Sequence, residues 1–315
     1  MNEWKSPSRP IISVAIEAAM PGNSNALRKA LHGMVTRDPT MRVNDGPVGG
    51  QVIVSGVSES HLQSICFEVL EELCDPLDLG EPTAILLETI RGSTEAEGKY
   101  IRQTGGSGNY GHVKIRLDPI AADGAFEFLN EVKDGAIPAE YIEPIVQGIR
   151  QSMLGGILFG CEVVNVRVTL FGGSYHEIDS NPTAFQIAAS LAFKEAAHKS
   201  SPILLEPIMA VDIAISEAQL SAQVRDISSR RGRVESIELR PEFLAITAHI
   251  PLRETLHTSP NGRLKHPMRF LRYEELPSRF DDLGDDGLGV GVRNPKHPST
   301  GQGSSAANPD PGRML

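Results

Sequence analysis

The sequence predicts a multi-domain α+β protein in which two ferredoxin-like βαββαβ sandwiches flank a distinct α+β unit. Segments that alternate apolar and polar residues, typical of half-buried strands, recur between amphipathic segments typical of helices, and this order occurs near each end of the folded part. The length of 315 residues leaves room for two or three domains. A content of 40% hydrophobic and 22% charged residues is typical of a soluble globular protein.

Composition and pattern divide the chain into five parts. We predict a flexible arm at 1–9, a first ferredoxin-like unit at 10–91, a second, α+β unit at 92–204, a third, ferredoxin-like unit at 205–277 and a disordered tail at 278–315. The tail is rich in Gly, Pro, Ser and Asp and almost free of aromatic residues. Such a segment cannot bury enough apolar surface to offset the entropy of ordering.

The first unit is predicted from two amphipathic segments and four strand-like ones. Asn23 or Ser24 can cap the first helix, and the second helix runs from about Ser58 to Leu73. The predicted strands are "IISVAIEA", "TMRVND", "GQVIVSG" and the closing "TAILLETI". This order predicts two helices packed on a four-stranded sheet.

The second unit is predicted to hold four strands and two helices. The strands are "GKYIRQ", "YGHVKIRL", "AFEFLNEV" and "EVVNVRVTLF". Pro138 suits the first turn of the helix "IPAEYIEPIVQGIRQSML". Ser180 or Asn181, before Pro182, marks the start of the helix "TAFQIAASLAFKEAAHKS".

The third unit repeats the order of the first. The strand "PIMAVDIAIS" is followed by the helix "EAQLSAQVRDISSRRG", for which Gly232 is the predicted C-cap. "RVESIEL" and "EFLAITAHI" are predicted to form a hairpin, and "HPMRFLRYEE" a last strand. Pro260 and Gly262 make "PLRETLHTSPNGRLK" poor helix material, so we expect the second helix to be shortened.

The stretch Thr104–Gly111, "TGGSGNYG", concentrates glycine between two predicted strands. A dinucleotide-binding loop would lead into a helix whose N-terminus meets the phosphates, and no helix follows here. The phosphate-binding pattern G-x-x-x-x-G-K-[ST] is also absent from the sequence. The alternatives are a loop tip whose backbone approaches another surface and a hairpin with no role beyond its turn.

A second polar cluster, "GGSYHEIDS", lies between a strand and a helix. Ser174, His176 and Asp179 could suggest a nucleophilic triad, but they fall within six residues and Asp179 is explained by the helix start. His176 has no capping or packing duty visible in the sequence, so a contact role is favoured. No His or Cys spacing predicts a metal site, and no cofactor is expected.

The formal charge of −10 disfavours a generally basic nucleic-acid binder but leaves room for local patches. Four arginines gather at the end of the predicted third-unit helix: Arg225, Arg230, Arg231 and Arg233. They could pair with phosphates, or they could complement the helix C-terminus.

The three cysteines, Cys66, Cys74 and Cys161, are an odd number in apolar settings, which is typical of reduced thiols in a cytosolic protein. No apolar run reaches the roughly 18 residues of a membrane span, and "MNEWKSPSRP" lacks the apolar core of a secretory signal. The prediction is a cytoplasmic protein with no membrane partner.

Longer motifs resemble bacterial elongation factor G. The second unit is similar to the fourth domain of that family, the first unit to the third domain, and the third unit to the fifth, in the family's order over about Pro10 to Pro277. The motifs that carry the resemblance are "GKYIRQTGGSGNYGHV", "IPAEYIEPIVQGI", "GSYHEIDS", "ISVAIEA", "RDPTMRV", "GQVIVSG", "LLEPIMAVDI", "DISSRRGRV" and "RYEELP".

The resemblance implies a projecting second unit with the fold of ribosomal protein S5, whose tip loops enter the decoding centre during translocation. The implied partners are the ribosome, through its RNA, and transfer RNA with messenger RNA. The implied contact residues are Gly105, Gly106, Ser107, Gly108, Asn109, Tyr110, Ser174, Tyr175, His176 and Asp179, with Arg225, Arg230, Arg231 and Arg233 as a second candidate contact. Such a tip would recognise RNA by shape, stacking and hydrogen-bond donors.

The departures from the family qualify this expectation. The family's first two domains, with the GTPase apparatus, have no counterpart in these 315 residues, so we expect no GTP hydrolysis and no enzyme activity unless a GTPase domain acts in trans. Ser107 stands where the family often has arginine, and Asn109 where glutamine is usual. The alternative is a degenerate factor that no longer binds ribosomes and serves as a protein-interaction module. An enzyme that uses His176 and Asp179 is the third reading.

Overall fold

A computed structural model describes residues 9–46, 49–104, 107–121, 125–133, 135–256 and 266–277. The predicted arm, apart from residue 9, and the predicted tail at 278–315 lie outside these ranges, as do Gly105, Gly106, Pro260 and Gly262. The described chain is a mixed α+β protein with three sheets, as predicted.

The first sheet belongs to the first unit and has the strand order β2-β3-β1-β4, the order of a ferredoxin-like sandwich. Its elements are β1 (Ile12–Ala18), α1 (Ser24–Val35), β2 (Arg42–Asp45), β3 (Val52–Gly56), α2 (Glu59–Leu73), β4 (Leu77–Leu79) and β5 (Thr83–Ala84). The Ser58 side chain accepts a hydrogen bond from the backbone N–H of His61 and so caps α2, which begins within one residue of the predicted start. Leu62, Ile65 and Val69 then form the buried stripe of that helix.

The prediction that "TAILLETI" closes the first sheet was wrong. The closing strand is β4, whose three residues are too few to show alternation, and "TAILLETI" splits in two. Its beginning, β5, pairs with β1, whereas its end, β6 (Leu87–Ile90), pairs with a strand of the third unit. All four residues of β6 are buried, which is why the segment shows no alternation.

The second unit is a four-stranded sheet, in the order β7-β8-β10-β9, against which two helices pack. Its elements are β7 (Thr94–Thr104), β8 (Ser107–Pro119), β9 (Phe126–Asn130), α3 (Ile142–Leu154), β10 (Val166–Ser174) and α4 (Pro182–Lys199). Strands β9 and β10 run parallel because α3 makes the crossover between them. The close approach of α4 to β7 requires glycine, since a Cβ on Gly98 would overlap the carbonyl oxygen of Ala188.

The third unit repeats the topology of the first, with the order β12-β13-β11-β14. Its elements are β11 (Pro202–Ile215), α5 (Leu220–Ser229), β12 (Arg233–Leu239), β13 (Leu244–Pro251), α6 (Leu252–Leu256) and β14 (Met268–Glu275). The second helix, α6, is short, as the sequence predicted. Buried side chains of the first and third units form one continuous core, in which Leu62 and Ile65 share a cluster with Val211 and Ile246.

Gly232 is not the left-handed C-cap residue that the sequence predicted. The residue with positive φ after α5 is Arg231, at 56°. The N–H of Gly232 donates to the carbonyl of Ile227, and the N–H of Arg231 donates to that of Ser228. These two bonds form a Schellman motif in which Arg231, one residue before Gly232, is the left-handed residue. The side chain of Arg231 has buried partners, described below, that hold it in this conformation.

Glu88, in β6, joins the second unit to the third. It is 1% exposed, and its carboxylate accepts four backbone N–H groups of the loop that follows α3. The donors are Ile157 and Leu158, each at 2.8 Å from Oε2, and Phe159 and Cys161, each at 3.0 Å from Oε1. The negative charge is therefore matched by four dipoles rather than by a cation.

Candidate functional site

The two polar segments singled out in the sequence meet at one end of the second unit. The β7–β8 hairpin supplies one, where Thr104 pairs with Ser107 around the two undescribed glycines. The segment 174–181, between β10 and α4, supplies the other. We call the described residues 107–110 and 174–181 together the tip.

Asp179 holds the two halves of the tip together. Its Oδ1 accepts the backbone N–H of Gly108 at 3.0 Å, and its carbonyl accepts the N–H of Tyr110 at 2.8 Å. A Cβ on Gly108 would lie 2.5 Å from the Asp179 carboxyl carbon, so glycine is required by close approach. Asn181, the N-cap of α4, adds a hydrogen bond from Nδ2 to Oδ1 of Asn109 at 2.8 Å. Asp179 thus does more than begin a helix.

His176 is exposed at the tip, with 52% of its side chain accessible. Its Nδ1 accepts the backbone N–H of Asp179 at 3.2 Å, so the neutral ring carries its proton on Nε2. The Nε2–H has no hydrogen-bond acceptor within the part of the chain that the structure describes. Its ring centroid lies 6.2 Å from that of Tyr110. The imidazole therefore presents a donor and a ring face outward.

The suggested triad of Ser174, His176 and Asp179 does not form. Ser174 Oγ lies 2.7 Å from Tyr110 Oη and 2.8 Å from Nδ1 of His112, while His176 contacts Asp179. The sequence reasoning missed His112, although its place in the alternation of "HVKIRL" puts it on the sheet face opposite the buried Val113. Both Ser174 and His112 serve contacts within the tip region.

Apolar and aromatic groups are exposed beside these polar ones. Ile178 is 87% exposed and Tyr175 43%, on the same segment as His176. Arg102, on β7, is exposed and makes no ion pair among the described residues. The tip therefore combines rings and an apolar side chain, and Arg102 adds a cation beside it, a combination that suits stacking and phosphate contact.

The four arginines of the third unit have partners inside the protein. Arg230 is 3% exposed and bonds to Asp226 and to the Glu254 carbonyl. Arg231 pairs with Glu206, which is 1% exposed, and burial raises the pKa of that carboxyl while the guanidinium lowers it in part.

The remaining two arginines are more accessible. Arg233, whose side chain is 70% exposed, pairs with Glu235, and the exposed Arg225 donates from Nε to the Ser221 carbonyl. A buried guanidinium such as that of Arg230 is bonded to partners inside the protein and is not accessible to a phosphate. Arg225 and Arg233 are thus the members of this cluster with accessible charge.

Other kinds of site find no support in the described ranges. They contain no group of three or more His, Cys, Asp or Glu side chains that could hold a metal ion. No helix in them is both long and apolar enough to cross a bilayer. The three cysteines are free, and burial raises the pKa of the Cys66 thiol and, to about 12, that of Cys161.

Family comparisons match all three units. Residues 8–73 match the model of elongation factor G domain III, residues 82–201 that of domain IV, and residues 203–281 that of the elongation factor G C-terminus. These matches define a protein built from the domains of a translation elongation factor.

Individual proteins give the same result. Elongation factor G from Thermotoga neapolitana, from Thermotoga maritima and from Thermotoga petrophila is in each case 42% identical over 279 residues, which are 86% of this chain and 40% of the relative. A crystal structure of a protein from Thermus thermophilus is 29% identical with a TM-score of 0.66, over 91% of this chain and 43% of that one. The chain belongs to the elongation factor G family and spans about two fifths of the length of these relatives.

Proposed function

We propose that the chain binds the ribosome at the factor site, with its tip directed at the decoding centre. The observation that carries this proposal is the hydrogen-bonded junction at Asp179, which joins two loops at one end of the second unit and leaves Tyr175, His176 and Ile178 exposed. Exposed rings and fixed donors of this kind stack on and bond to unpaired bases of RNA. The proposed compartment is the cytoplasm, where ribosomes work.

The tip would act without GTP hydrolysis by this chain. A nucleotide shifts a conformational equilibrium only through different contacts with the two states. The proposal is supported by the matches to domain III, domain IV and the C-terminus, none of which is named as a GTPase domain. Their proposed contribution is shape and binding, with any energy-driven step supplied by a GTPase domain in trans. His176 and Asp179 support this role better than catalysis, because both side chains bond within the tip.

Few cations near the tip are available to contact a phosphate. Ser107 replaces the arginine that is frequent in the family, and Arg102, whose backbone pairs with that of Asn109, is an exposed cation on the same hairpin. Lys99 is also exposed there, but it pairs with Glu97. We propose that Arg102 makes the phosphate contact of the first loop. Each phosphate that a cation neutralises adds about 0.7–0.9 to the slope of log affinity against log salt.

Co-sedimentation with bacterial 70S ribosomes at several salt concentrations tests the proposal. We expect salt-sensitive binding that is weakened by His176→Ala and by replacing residues 105–108 with a short turn. Arg102→Gln should reduce the salt slope by about one phosphate equivalent, whereas Lys29→Gln, an exposed cation on the first unit, should not. Binding that ignores the tip variants would move the contact to Arg225 and Arg233. No binding by the parent chain would overturn the proposal and favour a degenerate interaction module.

A further inference from the structure

A hydrogen-bond chain runs from the sheet of the second unit into the tip. Glu97 Oε2 lies 3.4 Å from His112 Nε2, His112 Nδ1 lies 2.8 Å from Ser174 Oγ, and Ser174 Oγ lies 2.7 Å from Tyr110 Oη. His112 is 8% exposed, whereas Ser174 and Tyr110 are half-buried and Glu97 is exposed, so the chain of contacts runs from the solvent through a buried ring to the tip. The chain crosses three neighbouring strands, β7, β8 and β10, before it reaches the ring that faces His176.

The direction of each hydrogen bond follows from the donors available while His112 is neutral. An ionised Glu97 can only accept, so His112 carries its proton on Nε2 and its Nδ1 is an acceptor. The Ser174 hydroxyl then donates to Nδ1, and its oxygen accepts the hydroxyl hydrogen of Tyr110. Every hydrogen in the chain is used, and neither hydroxyl has a donor left for an outside group.

Protonation of His112 adds a hydrogen at Nδ1 without adding an acceptor. Nδ1–H must then donate to Ser174 Oγ, and the hydrogen that Ser174 gave to the ring is displaced. The Ser174 hydroxyl rotates, and its hydrogen either points away from this row of hydrogen bonds or turns to Tyr110 Oη. In the second case the hydroxyl hydrogen of Tyr110 must point away instead. In either case one hydroxyl hydrogen becomes available at the tip, and the buried ring of His112 next to it becomes positively charged.

We propose that His112 is a positioning residue of the tip, which withholds a hydroxyl donor when it is neutral and releases one toward an RNA phosphate when it is protonated. The proposal rests on the proposed function for the identity of the acceptor. It predicts that an anionic partner binds more tightly as His112 gains its proton, and that a bound anion in turn favours that proton.

The charged groups around His112 set where this happens. Burial lowers the pKa of His112, and Glu97 on β7 opposes that shift, whereas Lys99 on β7 and Lys114 on β8 add to it. Ser174, its neighbour on β10, carries no charge, and the remaining contact is the phenol of Tyr110. His112 therefore gains its proton, and the hydroxyl hydrogen is released, at a pH below the usual histidine pKa of about 6.5.

The first experiment uses the protein alone. Imidazole ¹⁵N shifts and the Tyr110 ring ¹³C shifts are followed by NMR from pH 7.5 down to the lowest pH at which the fold persists. We expect the Nε2–H tautomer of His112 and a Tyr110 shift that follows the His112 titration. Ser174→Ala, which breaks the chain but keeps both rings, should abolish that coupling. The proposal would be overturned if the Tyr110 shift did not change as His112 titrates, or if the two titrations stayed coupled in Ser174→Ala.

The second experiment measures affinity for 70S ribosomes at pH 7.5 and at the lower pH at which NMR shows His112 to be protonated. Relative to His112→Gln, the parent should gain a factor of about two to ten at the lower pH, the range that one net hydrogen bond supplies. His249→Gln is the matched control, because His249 also contacts a glutamate, Glu235, and burial also lowers its pKa, but it lies in the third unit.

The two experiments separate the two proposals. An equal pH response in parent and His112→Gln would overturn the role of His112. If the His112 and Tyr110 NMR titrations are coupled but the protein binds no ribosomes, the hydrogen-bond mechanism would be supported. The assignment of RNA as the acceptor, and with it the proposed function, would then be wrong.

Discussion

Replacing Glu88 with glutamine should strongly destabilise the protein, although the change is nearly isosteric. The carboxylate accepts four backbone N–H groups through two oxygens. Glutamine keeps one oxygen and places an NH₂ group against the other two donors. Each buried donor that loses its acceptor costs about 1–3 kcal/mol, so the free energy of unfolding should fall by about 2–6 kcal/mol. That is a large share of the roughly 5–15 kcal/mol that stabilises a domain.

Urea unfolding and amide hydrogen exchange measure the effect. The amides of Ile157, Leu158, Phe159 and Cys161 should exchange faster in Glu88→Gln, with the pair that faces the NH₂ group affected most. Glu162→Gln is the control, since Glu162 is a nearby, partly exposed carboxylate that pairs with Arg42 and Arg9, and its loss should change stability less than that of Glu88. A Glu88→Gln protein within about 1 kcal/mol of the parent, with unchanged exchange at all four amides, would refute the reasoning.

Three further predictions follow from packing and burial. Gly98→Ala should destabilise the second unit by about 1–3 kcal/mol or more, because its Cβ would overlap the backbone of α4. Gly33→Ala, in open space on α1, should instead stabilise the protein by about 0.5–1 kcal/mol. Thermal unfolding of the two variants checks that the effects have opposite signs. Burial raises the pKa of Cys161 to about 12, so at pH 8 an aromatic disulfide reagent should modify the exposed Cys74 first and Cys161 only on unfolding. Arg231→Ala should cost about 3–5 kcal/mol, because it leaves a buried carboxylate unpaired, and its urea midpoint measures this. An Arg231→Ala midpoint equal to that of the parent, or fast modification of Cys161 in the folded state, would contradict the respective argument.

Local pattern was enough to predict most elements of the fold. The amphipathic character of α1 and α2, and the Asn181–Pro182 start of α4, depend on neighbours within a few residues, and the structure has these helices close to their predicted positions. β4 was missed because three residues carry no period. β6 was placed in the wrong sheet because its pairing with β11 spans the whole second unit.

The site was predictable as residues but not as contacts. The two loops were singled out from glycine and polar content, yet nothing local indicates that Asp179 accepts from Gly108, 71 positions away. For the same reason the sequence could not show that Arg231 bonds to Glu206. His112 resembled one more polar residue on a sheet face until its two ring nitrogens were seen to have partners on different strands.

The pairing of β6 with β11 gives the second unit a double attachment. The chain enters this unit through β6 and leaves it into β11, where Ile90 lies opposite Pro202, and the N–H of Arg91 bonds to the Ser200 carbonyl. A single linker would let the unit swivel freely, whereas two hydrogen-bonded strands resist twisting and sliding against each other. A displacement of the second unit relative to the third is therefore opposed by the hydrogen bonds of this strand pair, which connect the second unit directly to the sheet of the third.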